Sequence, residues 1–210
     1  QRDDHVVNDC ADDNTQQAAT TMVTVCGSAE IAYEQYIRNY SEYADIIVAK
    51  GGNVVIINGG YESSTSTDRQ KGFVEGLNDN FTIVAEQNAN WLMAEAQDVM
   101  ENIIQAQGGE NIDAVYAVTD DMIQGAMNAI TANGLVPGQD ILTMGIDGTR
   151  AALEAVEAGT QLASCTCTPY FGPIVVETIT KLINGEEVAP AIVNPDTLYT
   201  KDNVDVSVGF

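Results

Sequence analysis

The chain has 210 residues, 45% of them hydrophobic, enough for one large domain or two small ones with a real core. Only 8 Lys+Arg stand against 31 Asp+Glu, and the formal net charge of −23 repels phosphate backbones and anionic lipid at long range, which argues against nucleic-acid partners. No run approaches the ~18 uninterrupted apolar residues that would argue for a membrane-spanning helix.

The chain opens at Gln1-Arg2-Asp3-Asp4, a stretch without the basic and apolar regions of an export signal. Asp9 to Gln17 is polar and reads as loop, Thr20 to Val25 as a strand, and Ser28 to Tyr43 as a helix rich in Tyr and Glu. From residue 53 onward short apolar runs alternate with amphipathic stretches. Asn53 to Asn58 reads as a buried strand ending in Gly59-Gly60. Asp68 to Leu77 follows as a helix, after a polar stretch from Glu62 to Thr67 that suits either a flexible loop or ligand contact. Phe81 to Ala85 is the next strand. Leu92 to Gln107 is a helix with Met93, Ala96, Val99, Met100, Ile103 and Ile104 on one stripe. Asp113 to Val118 is a strand, and Asp120 is placed to cap the helix that stops near Asn133-Gly134. Ile141 to Ile146 is a further strand, Asp147-Gly148 a turn, and Arg150 to Ala158 a helix. Leu162 to Cys167 and Ile174 to Ile183 are the last strand and helix of the series.

Strands alternating with helices at this spacing imply βαβ units and a mostly parallel sheet covered on both faces. Ligands of such sheets sit beyond the carboxyl ends of the strands. The residues there, Tyr61 to Arg69, Gln87 to Trp91, Thr119-Asp120, Asp147-Gly148 and Cys167-Thr168, are polar with one large aromatic. Sugars need that mixture, since hydroxyls take forked donors and acceptors while a C–H face takes a flat ring.

Catalysis finds little support. The phosphate-loop string and Gly-x-Gly-x-x-Gly are both absent, so no nucleotide cofactor is expected. The sole histidine, His5, lies outside the sheet series, which disfavours a Ser-His-Asp relay. Cys165 and Cys167 fall on one face of a strand, a geometry suited to neighbouring buried thiols rather than a bridge. No second Cys or His pair accompanies them, so no metal is expected. Pairing of Cys10 with Cys26 stays open.

Three stretches make the order recognisable. They are Asp68-Arg69-Gln70-Lys71-Gly72-Phe73, the run from Val115 through Thr119-Asp120-Asp121-Met122 to Ala126, and the run from Gly134 through Pro137-Gly138 to Thr143. Asp147-Gly148, Ala163-Ser164, Thr168-Pro169 and Thr197-Leu198-Tyr199 follow in order. Over residues 53 to 200 the chain resembles the periplasmic sugar-binding family of ribose- and galactose-binding proteins, and most of all its galactofuranose-binding branch. The resemblance implies an α/β, doubly wound, mostly parallel type I fold with a complete C-terminal lobe and a partial N-terminal one. It assigns 26–167 and the returning tail 196–210 to the C-terminal lobe, and 1–25 and 168–195 to the N-terminal lobe. Material of the N-terminal lobe would then be missing, and its remnants would pack on a second copy, rearrange or move.

The resemblance further implies non-catalytic monosaccharide binding, as the extracytoplasmic solute-binding component of an ABC importer whose partner is a membrane permease. The alternative is a sugar-sensing domain of a transcriptional regulator or surface receptor. Arg69 would fork two hydroxyls, Asp147 accept from another pair, and Trp91 stack on the ring. Thr119 stands where the family usually has Asn, and Cys167 where ribose binders carry an amide, so sugar identity is not carried over. Arg2 would match the family's Asp-Arg pair, with Gln1 in place of the Asp. Each has an ordinary reading: Arg69 a solvated helix-start arginine, Trp91 a half-buried core residue, Asp147 a turn residue. Their joint position at strand ends favours the ligand reading, whereas Asp120 reads as a cap.

Overall fold

The structure, a computed structural model, describes residues 44–77, 81–189, 192 and 196–210. The expected loop, strand and helix before residue 44, Arg2, His5 and the Cys10–Cys26 pair lie outside the described residues. The chain divides into two compact units, Ala29–Pro169 with Pro195–Phe210, and Gln1–Ser28 with Tyr170–Asn194.

In chain order the elements of the larger unit are α1 (Ala44–Lys50), β1 (Asn53–Asn58), α2 (Ser64–Gly76), β2 (Thr82–Asn88), α3 (Met93–Gln107), β3 (Ala114–Ala117), α4 (Asp120–Ala132), β4 (Leu142–Asp147), α5 (Arg150–Ala158), β5 (Ala163–Thr166) and β6 (Leu198–Thr200). The helix α6 (Gly172–Ile183) belongs to the smaller unit. The six strands form one sheet in the order β2-β1-β3-β4-β5-β6, parallel throughout except for the antiparallel edge β6. The expected α/β fold is thus observed. Every residue of β3 is buried, as a central strand covered on both faces requires. Phe73 of α2 stacks on Tyr116 of β3, with centroids 4.1 Å apart and planes 7° from parallel.

The chain runs from β1 outward to β2, then crosses back over β1 to β3 and continues to β4 and β5. Right-handed crossovers in opposite directions put α2 on one face and α3 and α4 on the other. The strand order therefore reverses between β1 and β3, and a crevice opens there beyond their carboxyl ends.

Several local expectations are corrected. α2 begins at Ser64, four residues before Asp68, and so takes in most of the polar stretch read as loop. The reason is Ser66, whose buried hydroxyl accepts from the N–H groups of Gly59 (3.0 Å) and Gly60 (3.3 Å) and ties the helix to the end of β1. β2 runs on to Asn88 because the β1 register carries it, despite the polar Glu86-Gln87-Asn88. On α3, Ala96, Met100, Ile103 and Ile104 are buried as the stripe requires, but Met93 at its start is exposed. Thr119, not Asp120, caps α4, accepting from the Met122 N–H at 3.4 Å.

α3 and α4 approach closely at Gly125, where an added Cβ would lie 2.1 Å from the backbone oxygen of Met93. Backbone cannot swing aside as a side-chain tip can. Gly125→Ala should therefore cost about 1–3 kcal/mol of stability by forcing the two helices apart, read as a lowered urea midpoint at unchanged slope. An unaltered midpoint would show that the helices part freely.

Candidate ligand-binding site

Arg69 lies on the third residue row after Ser66, so both side chains face the sheet end from one side of α2. Only 4% exposed, Arg69 is no solvated helix-start arginine. Its Nη1 donates to the Val118 carbonyl just past β3 (2.7 Å) and to Oδ1 of Asp147 at the end of β4 (3.0 Å). A buried guanidinium needs this company, since an unpaired interior charge is costly.

Asp147 holds φ +139°, a region L-residues rarely enter. Burial pushes its carboxyl up to about 6; the Asp120 charge adds to the rise, while the Arg69 charge and hydrogen bonds from Arg69 and the Asp120 backbone oppose it. Cys167, half-buried, donates its backbone N–H to the Asp147 carbonyl at 2.8 Å. Thr119 follows Val118 directly and is half-buried, its hydroxyl engaged in capping α4.

Trp91, the sole tryptophan, reaches the same end of the sheet by another route. Its φ of +66°, after +47° at Asn90, turns the chain sharply beyond β2. The turn is held by the Asn90 N–H on Asn88 Oδ1 (2.8 Å) and by Asn90 Nδ2 on Glu95 Oε2 (2.6 Å). The indole lies flat enough on Gly59 that a Cβ there would come within 2.4 Å of ring carbons. Arg69, Asp147 and Cys167 are thus linked by contacts at the ends of β3, β4 and β5, Thr119 follows the Val118 carbonyl that Arg69 grips, and Trp91 covers the end of β1.

One acid escaped the sequence reading. Asp196, just before Thr197-Leu198-Tyr199, is partly buried near Arg69; burial pushes its carboxyl up to about 6, against the Arg69 charge and a hydrogen bond with Thr166. The signal available was its place on the segment returning to the sheet, two residues ahead of β6. Among the described residues no cluster of three or more His, Cys, Asp or Glu side chains could hold a metal ion, and no helix is long and apolar enough to cross a membrane.

A buried guanidinium, a carboxylate and a wide aromatic face at the crevice of a doubly wound sheet match the solute-binding pattern, and residues 7–187 match the family described as periplasmic binding protein domain. The chain belongs to this family. It is 41% identical over 125 residues to the galactofuranose-binding protein YtfQ of Escherichia coli, covering 58% of this chain and 39% of that protein. A xylitol-binding protein of Mycolicibacterium smegmatis is 34% identical over 163 residues, covering 75% of this chain and 45% of the relative. The chain thus spans under half the length of these curated relatives. Among solved structures, a Mycobacterium smegmatis protein in complex with β-D-fucofuranose superposes with a TM-score of 0.74 at 31% identity, over 84% of this chain and 59% of that one.

Titration of Asp147 has a definite sign. Its folded pKa lies above the unfolded value of 3.8, so its contribution to stability is full below 3.8 and is lost as pH rises through about 6. The Asp147→Asn variant lacks this dependence. Lowering the pH from 7 to 5 should therefore shift the unfolding free-energy difference between the two in favour of the wild type, measured by urea titration. A difference independent of pH, or moving the other way, would mean that Asp147 is not desolvated.

Proposed function

We propose that the chain grips a monosaccharide without transforming it, as part of the solute-binding component of an ABC sugar importer working outside the cytoplasmic membrane with a membrane permease. In this reading the larger unit is the C-terminal lobe, and Arg69, Asp147, Trp91, Thr119 and Cys167 line the sugar. By family order Arg2 belongs to the same set of ligand residues. The Arg69–Asp147 pair at the carboxyl ends of β3 and β4 carries the proposal. Its donors and acceptor stand side by side, the arrangement that neighbouring ring hydroxyls match.

Relatives named for furanose sugars, beside others named for ribose, xylitol or D-allose, support a small sugar and are the ground for reading a furanose here. One solved structure is a galactofuranose-binding protein, 33% identical with a TM-score of 0.73. Another, 26% identical with a TM-score of 0.73, holds α- and β-L-arabinofuranose. In this reading a five-membered ring would rest its C–H face on Trp91 and offer its hydroxyls to Arg69 and Asp147. No observation favours the regulator or receptor reading over transport, and none supports self-association through an incomplete lobe.

Calorimetry of the folded protein against aldopentoses, aldohexoses and galactofuranose tests this reading. At least one sugar should bind and be recovered unchanged. Binding by none would overturn the proposal, and recovery of altered sugar would point to an enzyme.

With the sugar found, Arg69→Ala should weaken binding by roughly 2–4 kcal/mol and Trp91→Ala by about 2 kcal/mol, since one removes charged donors and the other stacking area. Glu186→Ala, exposed beyond α6, should change affinity little. Melting curves of each variant separate lost binding from lost folding. Equal losses at all three positions would place the sugar elsewhere.

A further inference from the structure

Asp120 is fully buried, yet its carboxylate does not serve the helix it begins, which Thr119 caps. It crosses instead to the turn between β4 and α5. Oδ2 accepts from the N–H groups of Gly148 (2.8 Å) and Thr149 (2.9 Å), the two residues that follow Asp147. From β5 the Ser164 hydroxyl stands 2.8 Å from Oδ1 and 2.9 Å from Oδ2, and from the turn before β5 the Gln161 amide reaches Oδ1 at 3.4 Å. The fit has no slack, since a Cβ at Gly145 would lie 2.6 Å from Oδ1. A buried charge held by donors from two other segments is costly to maintain for packing alone, which an apolar side chain would serve as well.

Meanwhile Asp147 sits at φ +139°, a conformation its own backbone does not favour, so something beyond the residue must hold it there. The next two peptide groups are those fixed by Asp120. The Asp120 backbone also donates a hydrogen bond to Asp147, so a single residue grips the turn and the side chain the turn presents.

We propose that Asp120 is the positioning residue of the site, its carboxylate setting the β4–α5 turn and thereby the aim of Asp147 at Arg69. The proposal rests on the sugar-binding reading only for its consequence, a loss of affinity when Asp120 is changed. Its test needs no sugar, so its failure and the failure of that reading are distinguishable.

The experiment is NMR on the isotope-labelled, ligand-free chain, comparing the wild type with Asp120→Asn. The variant keeps the shape but replaces an acceptor by a donor that faces Gly148 and Thr149. Amide exchange at these two residues should quicken roughly tenfold or more, the scale of one charge-assisted hydrogen bond, while β1 and β3 stay protected. The carboxyl carbon of Asp147, which should titrate near 6 in the wild type, should move toward the ordinary carboxylate range as it loses both the Asp120 charge and its fixed setting. Loss of the Asp120 charge lowers that midpoint by itself, so the exchange rates at Gly148 and Thr149 decide whether the turn is set by Asp120. Unchanged exchange at Gly148 and Thr149 in the folded variant would overturn the proposal. Should Asp120→Asn not fold, Ser164→Ala takes one donor from the same carboxylate; because the Ser164 hydroxyl also accepts from the Gly148 N–H (3.2 Å), the readout is then Thr149 alone. Faster exchange at Thr149 would then support the proposal, and unchanged exchange there would overturn it.

Discussion

A guanidinium with almost no access to water sits at the carboxyl ends of parallel strands, and the site is arranged around its charge. Arg69 cannot shed that charge at any ordinary pH. Its surroundings must therefore supply acceptors, and they do so with the Val118 carbonyl and the Asp147 carboxylate. Asp196 adds a second acid within reach of its field, and Asp120 presses on Asp147 from behind. More negative than positive charge is thus crowded into one crevice. Burial pushes the carboxyls of Asp147 and Asp196 up to about 6 in spite of the arginine, the Asp120 charge adding to the rise at Asp147. Groups poised this way can accept from a hydroxyl when ionised and donate to one when protonated.

Topology explains why these groups meet. β1 and β3 are neighbours in the sheet but not in sequence, and the helices that follow them leave on opposite faces. Between them the sheet end is open, and whatever stands on the first turn of α2 looks across it toward β3 and β4. Ser66 and Arg69 occupy that turn and the next, three residues apart. Ser66 fastens α2 to Gly59 and Gly60, which fixes the distance over which Arg69 must reach. The arginine's grip on Val118 and Asp147 then ties α2 to two further strands. One helix start consequently organises the ends of three strands.

The sheet was legible in the sequence because its strands are short apolar runs bounded by turn residues, and Arg150 to Ala158 was located to the residue. What escaped depended on partners distant in sequence. The stretch from Ser64 to Thr67 carries no apolar periodicity, and its helix exists because Ser66 finds two backbone donors at the end of β1. Glu86 to Asn88 looks like loop, and is strand because β1 offers it a ladder. Asp120 has the composition of a cap, and no local pattern shows that its carboxylate is used on a turn almost thirty residues later. Asp196 is one acid among many in a chain of net charge −23, and only its proximity to Arg69 sets it apart. Arg69, Trp91 and Asp147 could be picked out because family order marked them, whereas their burial and contacts could not be read from order.

Backbone strain supplies an independent argument about where this fold has been specialised. Among the described residues, those other than glycine with positive φ are Asn90, Trp91 and Asp147. Each such setting costs on the order of 1–3 kcal/mol and persists only where neighbours over-determine it. The neighbours are on view: Asn88 and Glu95 hold the Asn90 turn, and Asp120 holds the residues after Asp147. All three strained residues stand at or just beyond a strand's carboxyl end, two of them carrying the aromatic ring and the acid that family order marks as ligand groups. Relaxed backbone would have been available at every one of these turns, as it is at the other loop residues with side chains. Strain concentrated where side chains are presented to the crevice, and avoided elsewhere, is what a fold shows when the direction of those side chains matters more than the stability given up to set it.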